Sequence, residues 1–117
     1  MPKTLPVVDI SAPICCASIA AGPMEADAAL GLALRLKALA DPARIQLVSI
    51  LMGARPGAIS TSDLAEALAL SAGTVSHHLG QLKKAGLVTS ERRGVNVLHR
   101  AEPDALEALR GVLDTCC

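Results

Sequence analysis

The sequence contains no aromatic side chain: phenylalanine, tyrosine and tryptophan are absent from all 117 positions. Proteins that bind single-stranded nucleic acids stack the bases on such side chains, so this kind of binding is excluded. Charged residues are also scarce, at 19%, whereas 51% of residues are hydrophobic, a balance that excludes disorder over most of the chain. A chain of this length is expected to form one domain with a modest core.

Long hydrophobic runs are missing as well. Arg35 and Lys37 interrupt the most apolar helical stretch, so no segment is suited to crossing a membrane. The uncharged segment 10–24 faintly resembles a secretion signal, but Asp9 and Pro13 argue against that interpretation. We therefore expect a cytoplasmic protein with no membrane partner.

Patterns typical of enzymes do not stand out. The sequence shows no clear Ser-His-Asp nucleophile arrangement, pair of carboxylates or phosphate-binding loop. It therefore predicts neither an enzyme nor an organic cofactor.

The four cysteines form two adjacent pairs, Cys15–Cys16 and Cys116–Cys117. Structural disulfides close loops between distant cysteines, whereas adjacent cysteines close almost none. The pairs therefore indicate reduced thiols that act as metal ligands or as redox groups.

A formal net charge of zero conceals a basic segment. Residues 71–100 carry five basic side chains and a single acidic one, while the rest of the chain is acidic. Such a segment is a candidate footprint for a polyanion.

Helix caps, breakers and hydrophobic spacing predict a mainly α chain with one small β-hairpin. Helices are expected at 24–40, 41–53, 60–69, 71–85 and 103–115. Two β-prone runs, 87–89 and 95–98, flank Arg93-Gly94 and predict the hairpin. This order predicts a winged helix–turn–helix domain at 24–115, preceded by an arm at 1–23 with one cysteine pair and followed by the second pair at 116–117.

Local signals also predict helix caps and buried faces. Asp41, Ser60 and Ser71 are the expected caps. In the second helix, the predicted inward stripe is Ile45, Val48, Leu51 and Met52. The first helix has leucines almost all the way round, at positions 30, 32, 34, 36 and 39. A helix without a polar face must be buried on two sides, which predicts a partner subunit.

The fourth helix has the pattern of an element that enters the DNA major groove. At 100° per residue, Val75, Leu79 and Leu82 form an inward stripe. The opposite face carries small and polar side chains, which permit close approach to base edges. The residues predicted to contact DNA are Ser71, Gly73, Thr74, Ser76, His77, Gln81 and Lys84 in this helix, and Arg92 and Arg93 in the hairpin. His78 is expected at the core margin; joint metal binding with His77 is disfavoured because neighbours on a helix diverge by 100°.

Two segments carry a family resemblance. Residues 70–88, LSAGTVSHHLGQLKKAGLV, closely resemble the recognition-helix signature of ArsR/SmtB-type repressors, and residues 36–45, LKALADPARI, are similar to that family's entry into the second helix. The resemblance covers about residues 25–113. It implies a homodimer formed by the first and last helices, which binds double-stranded operator DNA and is released by an inducer ion.

Two known inducer sites of the family are not matched. Where one arsenite-sensing branch has cysteines, this sequence has Ser60 and Ser62, whose hydroxyls do not replace thiolates. Where the zinc-sensing branch has Asp and His on the last helix, Asp104 is followed by Leu106 at the position of the histidine.

The pair Cys15-Cys16 resembles another arsenite-responsive branch, which places vicinal cysteines in an N-terminal arm and a third cysteine after the second helix. Residues 52–57 contain no cysteine, so we infer that Cys116 or Cys117 replaces it. Three thiolates suit As(III) or Sb(III), the expected inducers, while four would suit tetrahedral Zn(II) or Cd(II). A Cd(II)-, Zn(II)- or Pb(II)-sensing repressor of the same fold is therefore an alternative. A thiol redox-sensing DNA-binding regulator is an alternative, and a metalloid carrier or thiol oxidoreductase without DNA function is a third, which leaves the basic segment unexplained.

Overall fold

The computed structural model describes residue 19 and residues 22–113. Five helices and three strands follow one another along the described chain. Their bounds are α1 Ala26–Leu39, α2 Pro42–Ala54, β1 Ile59–Ser60, α3 Thr61–Leu68, α4 Ala72–Lys84, β2 Val88–Arg93, β3 Asn96–Ala101 and α5 Pro103–Leu113. The predicted fold class, a mainly helical winged helix–turn–helix, is confirmed.

Side-chain caps begin three of the helices, as predicted. Asp41 Oδ1 accepts the backbone N–H groups of Ala43 and Arg44 at 2.8 and 3.3 Å, which begins α2. Ser60 Oγ accepts the N–H of Asp63 at 3.1 Å, which begins α3. These bonds satisfy N–H groups that have no partner within the helix.

Leucines from α2, α3 and α4 form the centre of the core. Leu47, Leu51, Leu64 and Leu82 are fully buried, and Leu79 is 1% exposed. Helix α5 covers this core with Leu109 and Val112, which are also buried. One face of α4 packs against this core, and the opposite face points to solvent.

The predicted inward stripe of α2 was partly wrong. Ile45 is 56% exposed, whereas Leu47, absent from the predicted stripe, is fully buried; Leu51 is fully buried and Val48 is buried. Apolar residues surround α2 on nearly every side, so periodicity alone does not fix which face turns inward. Contacts with α3 and α4 decide it.

The three strands form an antiparallel sheet in the order β1-β3-β2. The hairpin of β2 and β3 is longer than predicted, with Arg93 opposite Asn96 and Gly94-Val95 as the turn between them. Gly94 has a φ of +62°, which favours glycine at the first turn position. Strand β1 was not predicted, because two residues are too few to show alternation.

No helix within the described residues is long and apolar enough to span a membrane.

Candidate nucleic-acid interface

A tight turn joins α3 to α4. Ala69 lies in the left-handed region with a φ of +55°, and its N–H donates to the Glu66 carbonyl. The N–H of Leu70 donates to the Ala65 carbonyl, which closes the end of α3. Ser71 then caps α4: its Oγ accepts the Thr74 N–H at 3.1 Å and donates to Thr74 Oγ1 at 2.9 Å. The turn sets the angle at which α4 leaves the core.

The two faces of α4 separate as predicted. Val75, Leu79 and Leu82 are buried, and the opposite face is open to solvent. A Cβ added at Gly73 would meet nothing within 4 Å, so packing does not require glycine there. The exposed members of the predicted DNA-contact set on this helix and its cap are Ser71, Gly73, Thr74, Ser76, His77 and Lys84.

Two polar residues of α4 lie away from this exposed face. His78 is half-buried, and its Nδ1 accepts a hydrogen bond from Arg44 Nε at 3.2 Å, consistent with its predicted place at the core margin. The exposed ring of His77 diverges from it, with centroids 6.0 Å apart. Gln81 is half-buried and lines a groove beside α1 that Lys84 also lines, so among the predicted contacts on α4 it is the one that is not fully exposed.

The charged side chains of α4 are all positive and lie at its C-terminal end. The helix contains no acidic residue, and Lys83 and Lys84 lie in its last turn. Its N-terminal end, beside Ser71, is exposed and carries the positive end of the helix dipole. An anion is therefore favoured at either end of this helix.

The two hairpin arginines differ in their surroundings. Arg93 Nε donates to Glu91 Oε1 at 2.7 Å, and this hydrogen bond together with the arginine charge lowers the pKa of the Glu91 carboxyl. Arg92 points to the other face of the strand because side chains alternate. Within the described residues Arg92 forms no ion pair, so it is the arginine of the two that is available to a ligand. Val95, at the turn, is 96% exposed.

His99, which the sequence analysis did not single out, connects the hairpin to the helix–turn–helix. Its Nε2 lies 2.7 Å from Thr61 Oγ1 at the start of α3, and its Nδ1 lies 2.6 Å from Ser90 Oγ in β2. The residue is 4% exposed; burial, and secondarily the charge of Lys83, lower the pKa of its imidazole. The predicted β run ended at Leu98, one residue before this histidine. Side chains two positions apart on a strand face the same side, so a longer predicted strand would have placed His99 on the same face as Val97.

The predicted thiolate ligands Cys15, Cys16, Cys116 and Cys117 lie outside the described residues. Residue 19 and residues 22–113 contain no group of three or more histidine, cysteine or acidic residues arranged to hold a metal ion. Ser60 and Ser62 have their hydroxyl oxygens 3.2 Å apart, and the first of them caps α3. In the structure, this pair of hydroxyls therefore lies at the N-terminal end of α3.

Residues 39–91 match a family model described as a helix-turn-helix domain. The fold also matches the solution structure of a homodimeric winged helix-turn-helix DNA-binding domain from Mycobacterium bovis, described as a possible ArsR-family transcriptional regulator. That match has a TM-score of 0.62 and 30% identity, and covers 77% of this chain and 83% of that one. The chain belongs to the ArsR/SmtB family.

Two curated relatives are similar to this ArsR/SmtB-family chain. The HTH-type transcriptional regulator NmtR of Mycobacterium tuberculosis is 36% identical over 77 residues, or 66% of this chain. The arsenic resistance transcriptional regulator ArsR1 of Pseudomonas putida is 35% identical over 82 residues, or 67% of this chain. In each case the match spans 62% of the relative's own length.

Proposed function

We propose that the chain is a transcriptional repressor that binds double-stranded operator DNA and is released when As(III) or Sb(III) binds its cysteine thiolates. The exposed face of α4 is the observation that carries the DNA-binding part. It combines small side chains, hydroxyl and imidazole groups, two lysines in the last turn and no acidic residue on a helix that packs against a buried core. This combination suits insertion into a major groove.

Each part of the surface has a distinct role in this proposal. Ser76 and His77 face the base edges, while Ser71 and Thr74 at the helix N-terminus contact a phosphate or a base. Lys84 contacts a backbone phosphate, and Gln81 contacts DNA from the groove beside α1 that it lines. Arg92 and Arg93 reach phosphates or a minor groove, Arg92 more freely because Arg93 is paired with Glu91.

A homodimer formed through the first and last helices would present two copies of α4 to two half-sites about one DNA turn apart. Leu30 on α1 and Leu113 on α5 are 37% and 57% exposed in the single chain, which supports burial of these helices against a second copy.

The inducer assignment follows from thiol chemistry. Arsenite and antimonite prefer three soft thiolates, and adjacent Cys15 and Cys16 would supply two ligands while Cys116 or Cys117 supplies the third. Among the relatives, the Pseudomonas putida protein is an arsenic resistance regulator. Ion binding would then lower operator affinity by about 5–150-fold, the usual size of allosteric coupling.

Release of DNA from the reduced protein tests the proposal. A duplex enriched from a random-sequence pool by the protein itself would be titrated in parallel with As(III), Sb(III), Cd(II), Zn(II) and Pb(II). We expect release by As(III) or Sb(III), and we expect Cys15→Ser with Cys16→Ser to retain DNA binding but lose this release. The matched control is Ser62→Ala, an exposed hydroxyl that does not cap α3, which should leave release unchanged.

Other outcomes identify the alternatives. Release by Cd(II), Zn(II) or Pb(II) alone would replace the arsenite assignment with a divalent-metal sensor. Release by peroxide without metalloid, reversed by a reductant, would show a thiol redox sensor. If the protein enriches no duplex from the pool, the DNA-binding proposal is wrong.

A further inference from the structure

Helices α1, α2 and α4 line a groove of about 300 Å³ that meets the exposed DNA-contact face of α4 at Lys84. Its lining residues are Leu34, Lys37, Ala38, Arg44, Gln81 and Lys84. Three of them are cationic and none is acidic. Lys37 and Arg44 belong to helices that the sequence analysis assigned no part in DNA binding.

Hydrogen bonds hold Arg44 in place on the wall of this groove. Its Nε donates to His78 Nδ1 at 3.2 Å, and its Nη1 lies 3.5 and 3.4 Å from the carbonyl oxygens of Lys37 and Ala38. Both carbonyls lie in the last turn of α1, and that of Lys37 also accepts the Ala40 N–H at 3.2 Å. The guanidinium is thereby fixed against α1 and α4 by neutral acceptors.

One carboxylate attracts Arg44 without forming an ion pair with it. Asp41 lies three residues before Arg44 and is attracted to the guanidinium charge, but its Oδ1 accepts the backbone N–H groups that begin α2. Within the described residues, Lys37, Arg44 and Lys84 form no ion pair. Three like charges around one groove repel each other, and a bound anion removes that repulsion.

We propose that this groove binds a phosphate group, and that the group is a backbone phosphate of the bound DNA. The inference rests on the proposed function and extends the contact surface to α1 and α2. Gln81 and Lys84, one turn apart on α4, connect the groove to the helix proposed to enter the major groove. Phosphates border the DNA major groove on both sides, so a helix inserted into the major groove has phosphates beside it. Lys37 and Arg44 supply charge, and Gln81 supplies an amide hydrogen-bond donor.

The salt dependence of DNA affinity tests this assignment. Each phosphate that a protein cation neutralises contributes about 0.9 to the slope of log affinity against log salt concentration. We expect Lys37→Gln to lower the magnitude of the slope by about that amount. The substitution should weaken the affinity for specific and for non-specific duplexes by the same factor. The matched control is Arg55→Gln, a cation at the far end of α2, about 16 Å along the helix from Arg44. It should leave the slope unchanged.

A second measurement separates DNA from a free phosphate compound. Side-chain amides occur only at Gln46, Gln81 and Asn96, so their NMR signals are easily distinguished. We expect the Gln81 signal to shift when duplex DNA is added to the wild-type protein and to shift less in Lys37→Gln, with Gln46 as the internal reference. Thermal unfolding of each variant checks that it is folded.

The outcomes distinguish this inference from the proposed function. If wild-type protein binds DNA but Lys37→Gln keeps both slope and Gln81 shift, the groove assignment is overturned and the repressor proposal survives. If the slope is unchanged but inorganic phosphate shifts Gln81 saturably in wild-type protein alone, the ligand is a free phosphate and the DNA source is overturned. If wild-type protein binds neither duplex nor phosphate, both proposals are wrong.

Discussion

His99 connects the hairpin of β2 and β3, the wing of this fold, to the helix–turn–helix by hydrogen bonds. Its two ring nitrogens are hydrogen-bonded to hydroxyls of Thr61 and Ser90, so one buried imidazole connects α3 with β2. A neutral ring satisfies both hydroxyls, with one nitrogen donating and the other accepting. Because α4 follows α3 directly, the position of the wing relative to the DNA-contact face depends on this residue.

His99 gives the protein a pH-dependent stability. Burial and then the Lys83 charge lower its pKa in the folded state, while the unfolded value is about 6.5. Below about pH 6.5 the unfolded chain therefore binds more protons at this site, so the free energy of unfolding falls as the pH falls. Urea unfolding between pH 5 and 8 should show this loss.

The variant His99→Gln isolates the effect, because His77 and His78 remain. We expect His99→Gln to be less stable at pH 8 by about 1–3 kcal/mol, the cost of disturbing buried hydrogen bonds. Its stability should change less between pH 5 and 7 than that of wild-type protein. If the free energy of unfolding changes with pH by the same amount in the two proteins, the prediction is wrong.

At the scale of the elements, the turn between α3 and α4 contains a residue that strains the backbone. Ala69 has a φ of +55°, where a Cβ is disfavoured by about 1–2 kcal/mol. Glycine removes that cost but loses more backbone entropy on folding. We therefore expect Ala69→Gly to raise the free energy of unfolding by about 0.5–1 kcal/mol, measured by urea titration.

The same substitution inside α3 should act in the opposite direction. Ala67 is exposed and helical, and glycine there costs about 1 kcal/mol. If Ala69→Gly and Ala67→Gly destabilise the protein equally, backbone strain at Ala69 is not the controlling factor.

The sequence predicted those parts of the fold that depend on residues close together in the chain. The caps at Asp41, Ser60 and Ser71 form from residues two or three positions apart, so they are visible without tertiary structure. The buried face of α2 was misassigned at Ile45 because only contacts with other helices select it. The groove around Arg44 joins residues from three helices, and no spacing in the sequence predicts their convergence.

For the whole molecule, the described chain has apolar surface that a second copy would cover. The sequence predicted a partner because leucines surround α1, and Leu30 on that helix and Leu113 on α5 are exposed to 37% and 57%. Ile45, on α2, is similarly exposed at 56%, but it lies outside the proposed dimer interface. These three residues allow a test of which helices form the dimer.

Leu113→Asp and Leu30→Asp should each weaken the dimer, whereas Ile45→Asp should leave it intact. Burying one such side chain contributes about 1.5–3 kcal/mol, and a two-fold dimer buries two copies of it. We therefore expect each leucine variant to raise the dimer dissociation constant by about a hundredfold or more, measured by sedimentation equilibrium. Affinity for a duplex with two half-sites should fall with dimerisation, while affinity for a single half-site should not. A dimer weakened by Ile45→Asp but by neither leucine variant would assign the interface to α2 instead of to the first and last helices.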